Sequence, residues 1–475
     1  MRILRVAGPL RRTQRTAALC RCFSSHDDRM STVKVLGPIA SRRHYHLMVS
    51  LRSGRFVVVG AGAAGLMAAR ELARAGKAVT ILEARDRCGG RIHALASAQF
   101  GYPAEAGAEF VHGEAPVTRA VLRDARLALS PLAGTRWIKR DGAFSPRDPQ
   151  PPHADRLYEA LAALTVDLPV ADFLERHFGG EQYAELRRAI TRMVEGYDAA
   201  DPARASTLAL REEWMGRGLS NQGRIAGGYG ALIDFLAAQC RQHGASIRFG
   251  ATVTGVELTD RGAVARCADG SAQEGDAVIL AVPLPLLAEI VLPPAARETA
   301  AAAVPHIGFG NVVKILLRFA TPWWAHAAGR DLGDMSFLLS DARVPTWWTQ
   351  HPDDHPVLTG WFAGPRANTV APLDEAALID MGIASLADIF ERSAGDLTQQ
   401  LVAARAINWG NDRFARGAYS YATPTTREAQ SRLENPDGGA VLFSGEALYG
   451  GPDMGTVEAA LASGLNTARR ILAAA

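Results

Sequence analysis

Residues 56–92 read FVVVGAGAAGLMAARELARAGKAVTILEARDRCGGRI, and this stretch decides the fold. Its first four residues form an apolar, valine-rich run that is typical of a buried parallel strand. From 66 to 75, apolar residues recur at helical spacing, and Gly76 follows as a natural C-cap. Residues 79–82 form a second apolar run. The order of strand, glycine turn, helix and strand predicts the βαβ start of a doubly wound α/β sheet.

Three glycines, Gly60, Gly62 and Gly65, give the turn the spacing of a dinucleotide-binding site, although the triplet alone is weak in a chain with 46 glycines. Gly60 allows the tight turn, Gly62 lets a pyrophosphate approach the backbone, and Gly65 lets the helix pack closely on the strand. Glu83 follows about 20 residues on, where an acid accepts hydrogen bonds from the adenosine ribose. The alternative is a doubly wound sheet whose glycines serve packing alone. The full pattern predicts dinucleotide binding.

The composition is that of an ordinary globular protein with two or three domains. The chain has 475 residues, of which 48% are hydrophobic and 21% charged. No apolar run approaches the roughly 20 residues that span a bilayer, so no integral membrane segment is expected. The chain has 52 basic residues (Lys and Arg) and 49 acidic residues (Asp and Glu). Residues 1–53 hold 11 of the basic residues and two of the acidic residues, so the rest of the chain carries 41 basic and 47 acidic residues. This acidic body argues against a nucleic-acid partner.

The basic tail over 1–53 is predicted to be disordered, and it has two interpretations. It is arginine-rich and acid-poor, as mitochondrial transit peptides are, but it also fits sequence upstream of a start near Met48. We favour the second interpretation, which predicts a cytoplasmic protein, with a mitochondrial location as the alternative. The cysteines are odd in number and scattered, which predicts neither a disulfide framework nor a metal site. They are Cys20, Cys22, Cys88, Cys240 and Cys267.

Further along the chain, the nucleotide-binding pattern is interrupted. Residues 102–116 are predicted to form a short strand and loop, 117–220 to be mostly helical, and 245–258 to form paired strands. Because neighbouring strands of one sheet must assemble, we assign 54–115, 222–290 and 425–475 to one Rossmann-type domain. Residues 116–221 and 291–424 are then predicted to form a second, α+β substrate-binding domain.

Four separated motifs carry a resemblance to a known family. They are LEARDRCGGRI at 82–92, GAEFVHG at 107–113, GFGNVVKILLRFATPWW at 308–324 and LFSGEALYGGPDMGTVEAALASG at 442–464. With them the sequence, from 56 to 472, resembles the flavin-containing amine oxidases, which comprise monoamine oxidases, polyamine oxidases and histone lysine demethylases. The resemblance implies that the dinucleotide is FAD and that the Rossmann-type domain is an FAD-binding domain.

The resemblance also implies the cofactor contacts. Glu83 would hold the adenosine ribose, Arg91 would lie over the pyrophosphate, and Val253 would meet the adenine with its backbone. Glu446 would face the ribityl chain, and the helix after Thr456 would point its N-terminus at the flavin. For Arg91 the alternative is a solvated loop arginine. The implied FAD contacts are Gly60, Gly62, Ala63, Ala64, Gly65, Glu83, Ala84, Arg85, Gly90, Arg91, Ala108, Glu109, Phe110, Val253, Gly445, Glu446, Thr456 and Val457.

Lys314 and Tyr419 are the implied catalytic residues. In NVVKILLRF, Lys314 shares a face with Val312, Leu316 and Arg318, which by itself fits a strand face that meets water. The family match instead places Lys314 beneath flavin N5, where it holds a water molecule. Tyr419 matches one wall of the aromatic cage before the flavin, and the alternative is an ordinary half-buried strand tyrosine.

Four further positions bear on flavin attachment and on the substrate. Ala418 stands where monoamine oxidases carry a cysteine joined to the flavin, which implies non-covalent FAD. Thr456 replaces the tyrosine of the opposite cage wall, as in polyamine oxidases and demethylases. Phe110 stands where L-amino-acid oxidases carry a carboxylate-binding arginine. His112 matches a histidine at the mouth of the polyamine oxidase tunnel, and its alternative is a structural hydrogen bond in a loop. The implied substrate contacts are His112, Trp409 and Thr456.

The implied reaction is the oxidation of an amine C–N bond. A neutral small-molecule amine loses hydride from its α-carbon to flavin N5, the imine is hydrolysed to a carbonyl, and O2 is reduced to H2O2. A desolvated aromatic site favours the neutral amine, and Glu109, Glu195 and Asp198 are candidates to attract a cationic polyamine. The alternatives are a porphyrinogen oxidase or desaturase of the same fold, a demethylase acting on a peptide tail, and an FAD-binding scaffold without turnover.

Overall fold

The computed structural model describes residues 54–146, 151–215, 222–327, 329–434 and 440–474. The tail over 1–53, which was predicted to be disordered and to be either a transit peptide or sequence upstream of a start near Met48, lies outside the described residues. In chain order, the described strands β1 to β19 are Arg55–Val59, Ala78–Leu82, Leu129–Pro131, Thr135–Arg140, Ala143–Ser145, Gly223–Ile225, Ser246–Arg248, Val253–Thr259, Gly262–Cys267, Ala272–Gly275, Ala277–Leu280, Gly308–Gly310, Val312–Phe319, Met335–Ser340, Thr346–Trp348, Val357–Ala363, Leu401–Asn408, Tyr419–Tyr421 and Val441–Phe443.

The described helices lie between groups of these strands, and four of them follow one another over 154–215. In chain order, α1 to α14 are Ala63–Arg74, Ser97–Phe100, Pro116–Ala125, Ala154–Ala163, Val170–Phe178, Ala184–Gly196, Thr207–Met215, Gly228–Gln242, Pro294–Ala303, Pro365–Asn368, Glu375–Phe390, Ala394–Gln400, Thr426–Glu434 and Val457–Ala474. Within the described ranges, every helix falls short of the length or the hydrophobicity that crossing a membrane requires.

A five-stranded parallel sheet confirms the predicted Rossmann-type α/β fold. Its order is β19-β11-β1-β2-β7, and every neighbouring pair is parallel. The strands come from 55–82, 246–280 and 441–443, three stretches that are far apart in sequence. The chain therefore returns twice to complete one sheet. The proposed division into two domains with the boundaries given above stays a prediction.

Strand β1 is buried on both faces, as its valine-rich sequence predicts. Phe56 and Val58 pack into a core with α1, α8 and α14, whereas Val57 and Val59 pack into a second core on the opposite face. Helix α1 can lie close to the strand because Gly65 has no side chain. A Cβ at this position would lie 2.0 Å from the carbonyl oxygen of Gly60. The glycine turn is thus held between two packed layers.

A seven-stranded sheet is the largest sheet of the described residues. Its order is β17-β13-β16-β15-β14-β4-β5, and it is antiparallel except for the pairing of β14 with β4. Strand β13 lies inside this sheet between β17 and β16, and all of its residues are buried except the half-buried Arg318. Helix α11 covers one face, with Gly382 packed against Ile315. The interior position of β13 decides the environment of Lys314.

Two predictions of secondary structure were wrong, and a third needs an addition. Residues 102–115 form no strand, and single bridges join Ala94 to Glu105 and Val111 to Gly223. The region 117–220 is mostly helical, as predicted, and it also contains the short strands β3, β4 and β5. The two runs within 245–258 are strands, but they do not pair with each other. Strand β7 joins the parallel sheet beside β2, and β8 pairs with β9, because the backbone at Gly250 and Ala251 is hydrogen-bonded to the segment after β2.

Candidate active site

One continuous cavity of about 1460 Å³ runs from the glycine turn after β1 to the helix α6. Its walls include the turn, the interior strand β13, the strand β18 and the start of α14. Sites for drug-sized ligands occupy roughly 300–1,000 Å³. This cavity therefore has room for a dinucleotide together with a second, smaller molecule.

The glycine turn fits a pyrophosphate. Gly60 has φ +102°, and a Cβ there would lie 2.8 Å from the carbonyl oxygen of Ala281. Helix α1 begins after Gly62 with neither a side-chain cap nor an acidic residue in its first turn. The N–H groups of Ala63 and Ala64 at this end therefore remain available to an anion.

Glu83 braces the same turn. Its two carboxylate oxygens accept hydrogen bonds from the backbone N–H groups of Ala61, at 2.7 Å, and Arg85, at 2.9 Å. Glu83 and Ala84 line the cavity, so the remaining lone pairs of the carboxylate can accept ribose hydroxyls. The Arg85 side chain, an implied FAD contact, forms a two-point ion pair with Asp412 at 2.6 and 3.1 Å.

Arg91 and Glu446 form an ion pair across the cavity wall. Arg91 Nη1 lies 2.7 Å from Glu446 Oε1 and 2.8 Å from the carbonyl oxygen of Ala418. The guanidinium also lies over the ring of Phe309, 5.6 Å from its centroid. Glu446 is buried, and its second oxygen accepts a hydrogen bond from Ser420. Arg91 is therefore fixed by the protein, which rules out the solvated loop arginine.

The start of α14 is capped by its own threonine. The Thr456 hydroxyl donates to the carbonyl oxygen of Asp453, at 2.6 Å, and accepts from the N–H of Ala459, at 3.2 Å. Thr456 and Val457 line the cavity beside Gly445. The remaining implied FAD contacts that line the cavity are Gly90, Ala108, Glu109, Phe110 and Val253, whereas Gly65 is absent from its lining.

Lys314 is buried, with 1% of its surface exposed. Its ammonium donates to the carbonyl oxygen of Gly107, at 3.1 Å, and to Glu109 Oε2, at 2.8 Å. The interpretation that Lys314 lies on a strand face that meets water is therefore wrong. The reason is that β13 is an interior strand and its Lys314 face packs against the segment that carries GAEFVHG.

Glu109 is the partner of Lys314 and not a free anion. Its carboxylate also accepts hydrogen bonds from Arg224 Nε, at 3.0 Å, Trp348 Nε1, at 3.0 and 3.1 Å, and Gln350 Nε2, at 3.1 Å. Burial alone would raise the pKa of Glu109, but the charges of Lys314 and Arg224 lower it to about 2. The expectation that Glu109 attracts a cationic substrate was therefore wrong, because the buried Lys314 and the half-buried Arg224 already neutralise it.

Aromatic rings line the middle of the cavity. Tyr419 stacks on Trp361, with ring centroids 6.5 Å apart and planes 22° apart, and its hydroxyl donates to the carbonyl oxygen of Tyr197. Phe110 packs edge-on against Trp348 at 5.5 Å. Trp409 also lines the cavity, but it is 4% exposed, and its indole N–H is bonded to the carbonyl oxygen of Ala106.

His112 lies where the cavity approaches α6. Its Nδ1 lies 3.1 Å from the hydroxyl oxygen of Tyr197, and the two rings meet edge to face. Burial lowers the pKa of His112 to about 4. The imidazole is therefore neutral at physiological pH and can offer a substrate a hydrogen bond but no charge.

Two carboxyl groups meet at this same end. Asp198 follows α6, Glu213 lies on α7, and each contacts the other's carboxyl group. Burial and the neighbouring Glu213 raise the pKa of Asp198, and burial raises the pKa of Glu213 to about 7. Neither forms an ion pair with a cation among the described residues, and Asp198 Oδ2 has no hydrogen-bond partner there. Glu195 also lines the cavity, and burial raises its pKa.

The family model for flavin-containing amine oxidoreductases matches residues 63–472. The chain belongs to this family. It is therefore an FAD-dependent amine oxidoreductase, and the amine oxidoreductase fold has room for FAD where Gly60, Glu83 and Arg91 lie. The uncapped end of α1, the tight turn that Gly60 allows with its φ of +102° and the cation of Arg91 all fit the pyrophosphate of FAD.

Relatives within the amine oxidoreductases include enzymes of small amines and of histones. Polyamine oxidase 2 of Arabidopsis thaliana is 27% identical over 456 residues, 88% of each chain. Lysine-specific histone demethylase 2 of Homo sapiens is 26% identical over 88% of this chain and 53% of its own length. A putrescine oxidase structure bound to putrescine, 22% identical, has a TM-score of 0.73 over 88% of this chain and 99% of its own.

Sequence reasoning missed several residues that line or support this amine oxidoreductase site. Trp361 lies opposite Lys314 in the pairing of β13 with β16, and Glu213 is one of three charged residues in the helical segment LREEWM. The run LTGWFAG could have indicated a strand, but its partner and register could not be read from it. The residues that were missed are Tyr197, Glu213, Arg224, Trp348, Gln350 and Trp361.

Proposed function

We propose that this amine oxidoreductase oxidises a diamine or polyamine and passes the electrons to O2, with H2O2 as the product. The observation that carries the proposal is the carboxyl pair of Asp198 and Glu213 in the cavity that also holds Tyr419 and Lys314. The names of the polyamine oxidase relatives support the same substrate class.

The carboxyl pair suits a second, distal ammonium of the substrate. Two half-buried acids in contact resist ionisation because of desolvation and mutual repulsion, and a cation between them offsets both effects. Among the described residues no salt bridge competes for Asp198 or Glu213. A diamine therefore gains an ion pair here, whereas a monoamine leaves the pair as it is.

The aromatic rings suit the reacting end of the substrate. An alkylammonium loses its proton near pH 10.4 in water, as lysine does, and the reactive amine must be neutral. Tyr419, Trp361 and Phe110 offer apolar surface, which desolvates the amine and favours its neutral form. When bound, FAD supplies the two-electron oxidation of the carbon beside the nitrogen. Lys314 would hold a water molecule below the flavin with a remaining N–H.

An anaerobic screen with the purified holoenzyme tests the substrate class. Spermine, spermidine, N-acetylated polyamines and putrescine are expected to bleach the flavin faster than arylalkyl monoamines and L-amino acids. An amino acid would bury its carboxylate beside Phe110 without a partner, at a cost of several kcal/mol. The polyamine proposal is overturned if only arylalkyl monoamines react, or if an L-amino acid reacts fastest.

Asp198→Asn tests the distal site separately. The variant is expected to raise the Kd of a diamine, measured from the amine dependence of flavin reduction, at least about tenfold, or about 1.4 kcal/mol. A monoamine of similar length should lose much less. Asp201→Asn is the matched control, because Asp201 lies on the same loop and binds the N–H of Ala203 outside the cavity. Equal losses for both amines would contradict a distal-ammonium site.

A further inference from the structure

Lys314 belongs to a cluster of polar side chains that surround the carboxylate of Glu109. The carboxylate of Glu109 collects hydrogen bonds from Lys314, Arg224, Trp348 and Gln350, and these use both of its oxygens. Lys314, Glu109, Trp348 and Gln350 are each less than one-tenth exposed. Four side chains from three segments of the chain thus donate to one carboxylate in the wall of the cavity.

The charges of this cluster are unequal. Lys314 and Arg224 are two cations, and Glu109 is their one shared anion. The other titratable groups that face it are Glu105 and Tyr102. Burial raises the pKa of Glu105 to about 7 and that of Tyr102 well above its ordinary value. Tyr102 is therefore uncharged, and Glu105 is largely protonated below about pH 6, so that Glu109 alone compensates the Lys314 ammonium in that range.

The geometry also limits what the ammonium can do. Of its three N–H groups, one is bonded to Glu109 and one to the carbonyl oxygen of Gly107. Lys314 lines the cavity, so the third N–H is the donor that remains for a water molecule or ligand. Losing the bond to Glu109 would free the side chain to rotate as well as remove its counterion.

We propose that Glu109 is a positioning residue, which keeps Lys314 charged and holds its third N–H toward the flavin site. The proposal rests on the placement of Lys314 beneath the flavin given above. It assigns to Glu109 a role that differs from a direct FAD contact or an attraction for substrate. Without Glu109, burial and repulsion by Arg224 would favour the neutral amine of Lys314.

The test is an equilibrium titration of the holoenzyme by flavin absorbance, without substrate. Glu109→Gln keeps the size of the side chain and removes its charge. We expect this variant to show a one-proton change in the flavin spectrum between about pH 6 and 9, where neutral buried lysines form. All proteins compared in this test carry Glu105→Gln, because Glu105, with a pKa of about 7, would itself titrate in this range. The parent with Glu109 intact should lack the change, and Glu109→Asp, which keeps the charge, should lack it too. The double variant Glu109→Gln/Lys314→Met should also lack it, because the titrating amine is gone.

The outcomes distinguish the positioning role of Glu109 from the placement of Lys314 beneath the flavin. If Glu109→Gln titrates like the parent while Lys314→Met alters the flavin spectrum or its reduction, Glu109 does not hold the charge and the proposal is overturned. A Lys314→Met variant with wild-type spectrum and kinetics would instead refute the placement of Lys314 beneath the flavin. If Glu109→Gln is insoluble, adding Lys314→Met should restore a soluble, yellow protein, because it removes the uncompensated cation. No recovery would also overturn the proposal.

Discussion

Ala418 decides whether the flavin can be attached covalently. It precedes Tyr419 and lies beside the Arg91–Glu446 pair, since its carbonyl oxygen accepts a hydrogen bond from Arg91. A methyl group offers no nucleophile. Among the described residues, the cysteines Cys88, Cys240 and Cys267 are absent from the cavity wall.

We therefore expect acid precipitation of the holoenzyme to release all of its yellow colour into the supernatant. The measurement is the flavin absorbance of the supernatant and of the redissolved pellet. A pellet that stays yellow, or a fluorescent protein band on a denaturing gel, would show a covalent bond.

The sequence predicted cofactor-side residues better than substrate-side residues. Gly60 and Glu83 act through a local turn, whose spacing is visible in a short stretch. Trp361 and Glu213 reach the cavity from β16 and α7, whose placement depends on long-range packing. The burial of Lys314 could not be read either, because alternation fits an interior strand as well as an exposed one.

At the scale of elements, the strands of the parallel sheet were predicted where each was a compact apolar run. The short strand β7, Ser246–Arg248, was given the wrong partner, because alternation over 245–258 fits a hairpin as well as two separate edges. Strand β4 was missed within a helical region because its TRWIKR sequence is mostly polar and gains stability from β14. Partner strands, which supply that stability, lie about 200 residues away in sequence.

The start of helix α8 is tied to a buried acid. Glu105 accepts a hydrogen bond from the N–H of Gly230, at 3.3 Å, and a Cβ on Gly228 would lie 2.4 Å from it. Its Oε2 has no partner among the described residues, and burial raises its pKa from 4.5 to about 7. Between these values the folded protein binds a proton that the unfolded chain releases, so stability falls as the pH rises.

Glu105→Gln should remove this loss of unfolding free energy, which reaches about 3 kcal/mol above pH 7. The thermal midpoint of the variant apoprotein, relative to wild type, is expected to be higher at pH 8 than at pH 5. Glu159→Gln, at an exposed site on α4, is the control and should show no such trend. A midpoint difference that is the same at both pH values would contradict the account.

At the scale of the whole molecule, the nucleotide-binding strands and the seven-stranded sheet are connected by ion pairs as well as by the chain. Arg85 follows β2 of the parallel sheet, and Asp412 follows β17 of the seven-stranded sheet. Their side chains are 15% and 24% exposed, and both terminal nitrogens of the Arg85 guanidinium donate to the carboxylate of Asp412. Two-point bonding at a half-buried site is worth more than an exposed surface pair.

Asp412→Asn is therefore expected to destabilise the holoenzyme by about 1–2 kcal/mol at pH 7, measured as a lower thermal midpoint. The control is Glu289→Gln, which breaks the exposed pair with Arg416 and should change the midpoint much less. Burial alone would raise the pKa of Asp412, but Arg85 and other hydrogen bonds lower it. Its stabilisation is therefore complete above about pH 4, the ordinary value for aspartate, and is lost as the pH falls below it. The midpoint difference between wild type and Asp412→Asn should shrink in acid, and a difference that persists unchanged at pH 3 would mean that the ion pair is not its cause.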